Sequence, residues 1–297
     1  MHGNPRTAIL AAFVADSLAL GVHWVYDTDA IAARYGRVTT LLAPELAAYH
    51  RGKQAGDLTH YGDQMLLLLR HVAGNNGFDA SLFGRQWRDA MQGYGGYVDQ
   101  ATRQTLANLQ AGRPVADAGS SSGDLSGAAR LSPLLQVYAR QPDSLVRTAR
   151  EQAMLTHNSP LVLAAAELLT RSCLEVLEGA EPVEALEQAA ARSTDFLLPD
   201  LVRQGVAAGG EDSLGAVKRF GQSCAAQSGL PAAVQIIARH GGDLVAALEE
   251  NVMAGGDSSA RGMFIATLLG CRPGATIPEA WLQGLRCRDE LESMLDA

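Results

Sequence analysis

Apolar residues recur along the chain at spacings of three and four, the period of a helix face that packs against a core. Ile9, Phe13 and Leu20, with Ser17 in the same register, mark a first helix, and Asp16 lies beside that face. Met65, Leu66, Leu69 and Val72 mark a second. Leu161, Ala165, Leu168, Leu169, Cys173, Val176 and Leu177 mark a long third helix that Gly179 ends. Further helices fit residues 183–192, 215–227, 231–239, 244–253 and 263–269. Alternating strand patterns are nearly absent. The pattern predicts an all-α fold with strand content under about 5%. Polar and glycine-rich content collects in loops at 56–63, 93–99, 118–127, 205–212 and 255–261. No shift in composition marks a boundary, so one compact multi-helix domain over 1–297 is expected.

Composition narrows the picture. With 47% hydrophobic and 19% charged residues the chain can bury a core and is not a disordered segment. Aromatics are only 5% of it, which points to Leu/Ala helix-on-helix packing. A net charge of −8 argues against nucleic acid as the partner, because phosphate-backbone binders are basic. It leaves room for a local phosphate or diphosphate site built from backbone amides. Cys173, Cys224, Cys271 and Cys287 form no CxxC pair and read as free thiols in a reducing compartment. No run approaches the roughly 18 apolar residues a membrane span needs. Asp16 interrupts the apolar stretch 8–20, making it a poor signal peptide. The expectation is a cytoplasmic protein with no membrane partner.

Four polar loops lead into apolar helices. Thr59-His60-Tyr61-Gly62-Asp63-Gln64 runs into 65–70, and Asp63 sits where an N-cap is expected. Ser120-Ser121-Ser122-Gly123-Asp124-Leu125-Ser126-Gly127 precedes Arg130 and Pro133. Thr156-His157-Asn158-Ser159-Pro160 opens the long helix, with Thr156 or Asn158 as its cap and Pro160 in its first turn. Gly255-Gly256-Asp257-Ser258-Ser259 opens the last long helix. Its glycines allow a close backbone approach, and its oxygens suit a hard cation. Each motif alone reads as an ordinary capped helix. Together they form four helix N-termini bearing carboxylate, amide and imidazole groups, which suits an anionic ligand paired with a divalent ion. There is no GxxxxGK[ST] loop, no strand–GxGxxG–helix and no GxSxG elbow.

The order of these motifs resembles the ADP-ribosylglycohydrolase family over nearly the whole chain. Ala11-Ala12-Phe13-Val14-Ala15-Asp16-Ser17-Leu18 is similar to that family's opening G-x-x-x-G-D-A-L helix. Tyr61-Gly62-Asp63-Gln64 stands where the family has T-D-D-T. The segment from Gly127 to Pro133 looks like G-A-A-M-R-x-x-P, and Thr156-His157 matches a T-H before a long helix. Gly255-Gly256-Asp257-Ser258-Ser259 resembles G-G-D-T-D, and Gly270, Gly274, Ile277-Pro278 and Trp281 resemble the closing pattern. The resemblance implies an all-helical fold, two magnesium ions and cleavage of the bond between ADP-ribose and an acceptor. It also exposes departures. Gly62 replaces one acid of T-D-D-T, or Gln64 does if the register slips by one, and Ser259 replaces the second acid of G-G-D-T-D. An acidic position after the opening helix falls near His23. The phrases around His23-Trp24 and His60-Tyr61 are closer to the selenoprotein and crystallin-type branch.

Two readings follow from different classes. In the first, the chain hydrolyses an ADP-ribosyl or related ribosyl bond, with Asp63 as the catalytic base. Asp63, Asp257, Ser258 and Ser259 then hold one magnesium ion at most, two acids having been lost. His23, His60, Tyr61, Gln64, Ser122, Asp124, His157, Asn158, Gly255 and Gly256 are the expected ligand-binding residues. In the second, the scaffold keeps a nucleotide-ribose binding or structural role without catalysis and holds no ion. Either way, Asp63, Asp124, His157 and Asp257 are expected to face one cleft.

Overall fold

Asn4 accepts the amide of Arg6 and Pro5 occupies the first turn, so the chain enters helix α1 (Pro5–Leu20) at once. Asp27 caps α2 (Thr28–Tyr35), and Thr59 caps α3 (His60–Asn75). Then follow α4 (Ala80–Gln92), α5 (Gln100–Gln110), the short α6 (Ser126–Ala129) and α7 (Leu135–Tyr138), and α8 (Pro142–Met154). The second half runs through α9 (Pro160–Leu177), α10 (Pro182–Ala191), α11 (Leu198–Ala207), α12 (Ser213–Phe220) and α13 (Ala226–His240). It closes with α14 (Leu244–Met253), α15 (Ser258–Gly270), α16 (Glu279–Gly284) and α17 (Arg288–Leu295). This computed structural model describes residues 2–296; Met1 and Ala297, the ends of the expected domain, lie outside the described residues. Among the described residues no strand occurs, only three isolated bridges, and no helix is long and apolar enough to cross a membrane.

The core is one continuous cluster centred on α1 and α15. Every residue of α15 is buried, and so is α1 from Ala11 to Leu20. Ala8, Ala11, Ala12 and Ala15 let α1 approach its neighbours closely, and Phe13, Phe264 and Ile265 fill the space between. Helix α9, with Leu161, Ala165, Leu168, Leu169, Cys173 and Val176 buried, packs against α8, α10 and α15. The expected all-α single domain is what forms. The helix expected at 263–269 begins earlier, at Ser258, and two other boundaries differ for a local reason. The stretch 215–227 is not one helix: Gly221, at φ 100, ends α12, and the chain restarts at Ala226, keeping Pro231 inside α13. The long helix α9 is entered from Ser159 rather than Thr156 or Asn158, and Ser159 makes no side-chain cap bond.

Candidate functional site

The N-terminus of α3 carries the first half of the site. Thr59 wins the cap position because its hydroxyl reaches the amides of Tyr61 (3.1 Å) and Gly62 (3.5 Å). Asp63 therefore sits inside the first turn rather than at the cap. Thr59 in turn donates its hydroxyl to Asp16 Oδ1 (2.6 Å) and its amide to Asp16 Oδ2 (2.8 Å). Ser259, at the start of α15, donates its hydroxyl to the same Asp16 Oδ1 (2.6 Å). Asp16 is fully buried, and burial pushes its carboxyl above the usual range against the pull of Ser259 and Thr59. This knot ties α1, α3 and α15 together. It also explains Gly62: a Cβ there would lie 2.0 Å from Asp16 Oδ2. The side of position 62 faces the knot, so an acid there would have to displace Asp16.

One step along α3 the chemistry changes to nitrogen. His23 follows α1, His50 lies in a 3₁₀ turn (Ala48–His50) and His60 is the first residue of α3. All three are buried, and one nitrogen of each lies within 4.8 Å of the others. His23 Nδ1 stands 3.6 Å from Asp257 Oδ1, and His60 Nε2 stands 3.3 Å from Asp99 Oδ2. Burial, with the neighbouring imidazoles of His50 and His60, holds His23 well below its ordinary pKa; burial and His60 hold His50 at about 3. Burial pushes the Asp257 carboxyl up to about 7, opposed by the Ala260 amide it caps. Burial also raises Asp99, but its His60 partner outweighs this and holds it below the usual carboxylate range.

Beside the histidines opens a cavity of about 520 Å³. Trp24, Tyr61 and Tyr97 form its aromatic wall, with Tyr97 edge-on to Trp24 at 5.1 Å between ring centres. Trp24 holds φ at 62, a conformation costly for a bulky residue, because its amide donates to Gly256 O (2.8 Å). The opposite wall is the loop 120–124, with Asp124 and Cys224; Asp99 and Arg103 complete it. That loop is pinned by neighbours: Leu125 donates its amide to Cys224 O and Ala226 to Gly123 O. Among the described residues the amides of Ser121 and Gly123 meet no protein acceptor.

The expected site residues divide accordingly. Tyr61, Ser122 and Asp124 line the cavity, and His23, His60 and Asp257 lie behind its aromatic wall. Asp63 stands apart. Its Oδ2 accepts from Lys53 Nζ (2.6 Å) and from the Tyr94 hydroxyl, beside a separate apolar depression. Gln64 is buried in a network, accepting from Trp87 Nε1 (2.9 Å) and from Arg130, so it belongs to the packing. His157 is buried against Thr156 Oγ1 (2.8 Å) and held at about 3 by burial and Arg130. Asn158 is exposed and gives only its amide, to Ser120 O. Gly255 and Gly256 spend their positive φ on approaching the chain itself: a Cβ would lie 2.6 Å from Val25 O and 2.2 Å from Gln222 O respectively. Of the four residues expected to face one cleft, only Asp124 is in the cavity wall; Asp63, His157 and Asp257 are not. The sequence reading missed Asp16, His50, Trp24, Tyr97, Asp99, Arg103 and Cys224.

The oxygen set that magnesium needs is dispersed. Asp63 is occupied by Lys53 and Tyr94, Ser259 by Asp16, and Asp257 Oδ1 by its cap, leaving Asp257 Oδ2 and Ser258 Oγ without partners. Two magnesium ions, each demanding near-octahedral oxygen coordination, do not fit these residues.

Comparison with known proteins places the chain among relatives. The model for "ADP-ribosylglycohydrolase" matches residues 4–297. An uncharacterized protein of Archaeoglobus fulgidus is 27% identical over 99% of this chain and 95% of its own length. Crystallin J1A of Tripedalia cystophora is 24% identical, covering 93% of this chain and 90% of that one. A solved structure described as an ADP-ribosylglycohydrolase-related protein complex superposes with a TM-score of 0.73 at 25% identity, over 98% of this chain and 96% of that one.

Proposed function

The chain belongs to the ADP-ribosylglycohydrolase family, and from that premise we propose that the 520 Å³ cavity binds an ADP-ribosyl group and hydrolyses its bond to an acceptor. The observation that carries the reading is the pairing of walls. Trp24, Tyr61 and Tyr97 offer ring faces and edges to a nucleoside, and the free amides of Ser121 and Gly123, with Arg103, suit a diphosphate. Asp124, the carboxylate of the loop wall, is the group placed to hold an attacking water against a ribosyl centre of developing positive charge. Asp63 takes that role only if it leaves Lys53 and Tyr94, so Asp124 is the better assignment. Asp99, in the lining, and Asp257, behind the wall, orient His60 and His23.

A second reading keeps the binding without the cleavage. It is favoured by the dispersal of the oxygen ligands just described, and one relative is a crystallin. Calorimetry with ADP-ribose, together with a release assay on arginine-, serine- and small-molecule-linked ADP-ribose, separates the two. Hydrolysis that falls about 10²–10⁴-fold in Asp124→Asn, with ADP-ribose binding kept, supports the enzyme. Binding without turnover supports the second reading, and absence of both overturns the assignment of the cavity.

A further inference from the structure

We propose that His23, His50 and His60 form a three-nitrogen site for one transition-metal dication of the zinc, cobalt or nickel class. The inference goes beyond the ADP-ribosyl reading and does not depend on it. Three elements distant in sequence deliver one imidazole each to a single buried point, with ligand nitrogens within 4.8 Å of one another. The ring centres are 5.3 Å apart for His23–His50, 5.4 Å for His50–His60 and 6.2 Å for His23–His60. Three imidazoles bound tetrahedrally at about 2.0–2.1 Å bring their ring centres to roughly 5 Å, so a small contraction closes the site.

The second observation is the state of the nitrogens. His23 Nε2, His50 Nε2 and both nitrogens of His60 are buried without a hydrogen-bond partner; His60 Nε2 is near Asp99 but poorly aligned with it. A buried polar atom left unpaired is costly, and several converging on one point call for a shared partner. A small cation answers three of the four and leaves His60 Nε2 to Asp99. It would bind Nε2 of His23 and His50 and Nδ1 of His60. Without metal, His23 Nδ1 accepts the Ser259 amide at 3.4 Å and its Nε2 proton has no acceptor. With metal on Nε2 the proton moves to Nδ1, which then donates toward Asp257 Oδ1 at 3.6 Å and gives up the long Ser259 amide bond of 3.4 Å. Asp99 stands in the same relation to His60 Nε2. Carboxylates placed behind metal-bound imidazoles orient the rings and supply charge. Imidazole donors select zinc, copper, nickel or iron over magnesium, which takes oxygen. Three protein ligands leave a fourth position for water.

The competing reading makes the three rings a stacked aromatic filler beside Trp24 and Tyr61. Cobalt titration of the chelator-stripped full chain decides between them. The expected result is one equivalent of Co²⁺ giving the intense visible band of tetrahedral coordination, bleached by Zn²⁺ and untouched by Mg²⁺. His50→Phe keeps a stacked ring and removes the nitrogen, and should weaken Co²⁺ more than about 100-fold. Asp257→Asn, which removes only an outer partner, should weaken it about 10–100-fold. Absence of the band in the wild-type chain overturns the proposal, and so does a band that persists unchanged in both His50→Phe and His23→Phe. No nucleotide enters the measurement, so its outcome is independent of whether the cavity binds ADP-ribose.

Discussion

Helix α3 starts between two buried polar clusters that differ in one respect. In the Asp16 knot every group is answered: both carboxylate oxygens accept, and the donors are the Thr59 amide and the hydroxyls of Thr59 and Ser259. On the other side of that helix start one nitrogen each of His23, His50 and His60 lies within 4.8 Å of the others, and His23 Nε2, His50 Nε2 and both nitrogens of His60 remain unanswered. Both clusters are equally buried and both join remote segments. A closed network makes a scaffold, since its burial cost is offset by its own bonds. An open one keeps capacity for something from outside. The distinction predicts that damage to the knot unfolds the protein, whereas damage to the histidines changes what it can bind.

The largest expected effect is therefore in the knot. Asp16→Ala strands the Thr59 amide and leaves the Thr59 and Ser259 hydroxyls, 3.2 Å apart, only each other. At about 1–3 kcal/mol for each of the two donors left unpaired, a loss of about 2–5 kcal/mol in urea unfolding is expected. A loss below about 1 kcal/mol would erase the contrast.

A smaller effect comes from the carboxylate on the histidine side. With its folded pKa raised to about 7, Asp257 favours folding while protonated, and that contribution fades as pH rises through 7. From pH 5 to pH 8 the metal-free chain should lose about 2–3 kcal/mol relative to Asp257→Asn, whose amide oxygen can still cap Ala260. His23, His50 and His157 act oppositely. Their folded pKa values are depressed, so their contribution is present above about 6.5 and lost on acidification. They are common to both chains and cancel in the comparison. Parallel curves from pH 5 to 8 would place the Asp257 carboxyl in a more solvated setting than its burial implies.

Next in size is His50→Phe. Without metal, a ring replaces a ring, and stability should stay within about 1.5 kcal/mol of wild type. With zinc at about 100 times its dissociation constant, wild type should gain about 2.7 kcal/mol and the variant about 0.4 kcal/mol or less. Thermal melts with and without zinc measure both, and an equal gain in the two chains would move the metal elsewhere.

How much of this was legible depended on which force fixed each position. Helices α1, α3 and α9 show in the sequence because burial imposes a three/four apolar rhythm. Helix α5 does not, since its buried face is Ala101, Thr102, Thr105 and Asn108, chosen for hydrogen bonds rather than apolarity. His23 and His60 were visible from the motif phrases around them. His50 was not, because it sits in a stretch without periodicity and only the fold carries it to the other two. Asp16 showed as a charge interrupting an apolar run and as the acid of the opening helix motif, but nothing local named its partners Thr59 and Ser259. The cap rule chose Asp63, whereas Thr59, four residues earlier, offers both a hydroxyl for the cap and a donor to Asp16. Local propensity could not choose between them, because the deciding partner lies 43 residues away.

Asp63 gives the smallest and most discriminating effect. Its motif made it the expected base, yet its Oδ2 accepts from Lys53 and Tyr94 and its side chain is 22% exposed. A pair that open to solvent contributes about 1 kcal/mol or less. Asp63→Asn keeps an acceptor for both donors and removes only the charge. Urea unfolding should shift by at most about 1 kcal/mol, and the ADP-ribose affinity and cobalt band should stay at wild-type level. Asp124→Asn serves as the matched control, because its carboxylate lies in the cavity wall whereas Asp63 borders a separate depression. If Asp63→Asn abolishes turnover while Asp124→Asn does not, the side chain must swing away from Lys53 when substrate binds, and the motif would have identified the base that the resting geometry conceals.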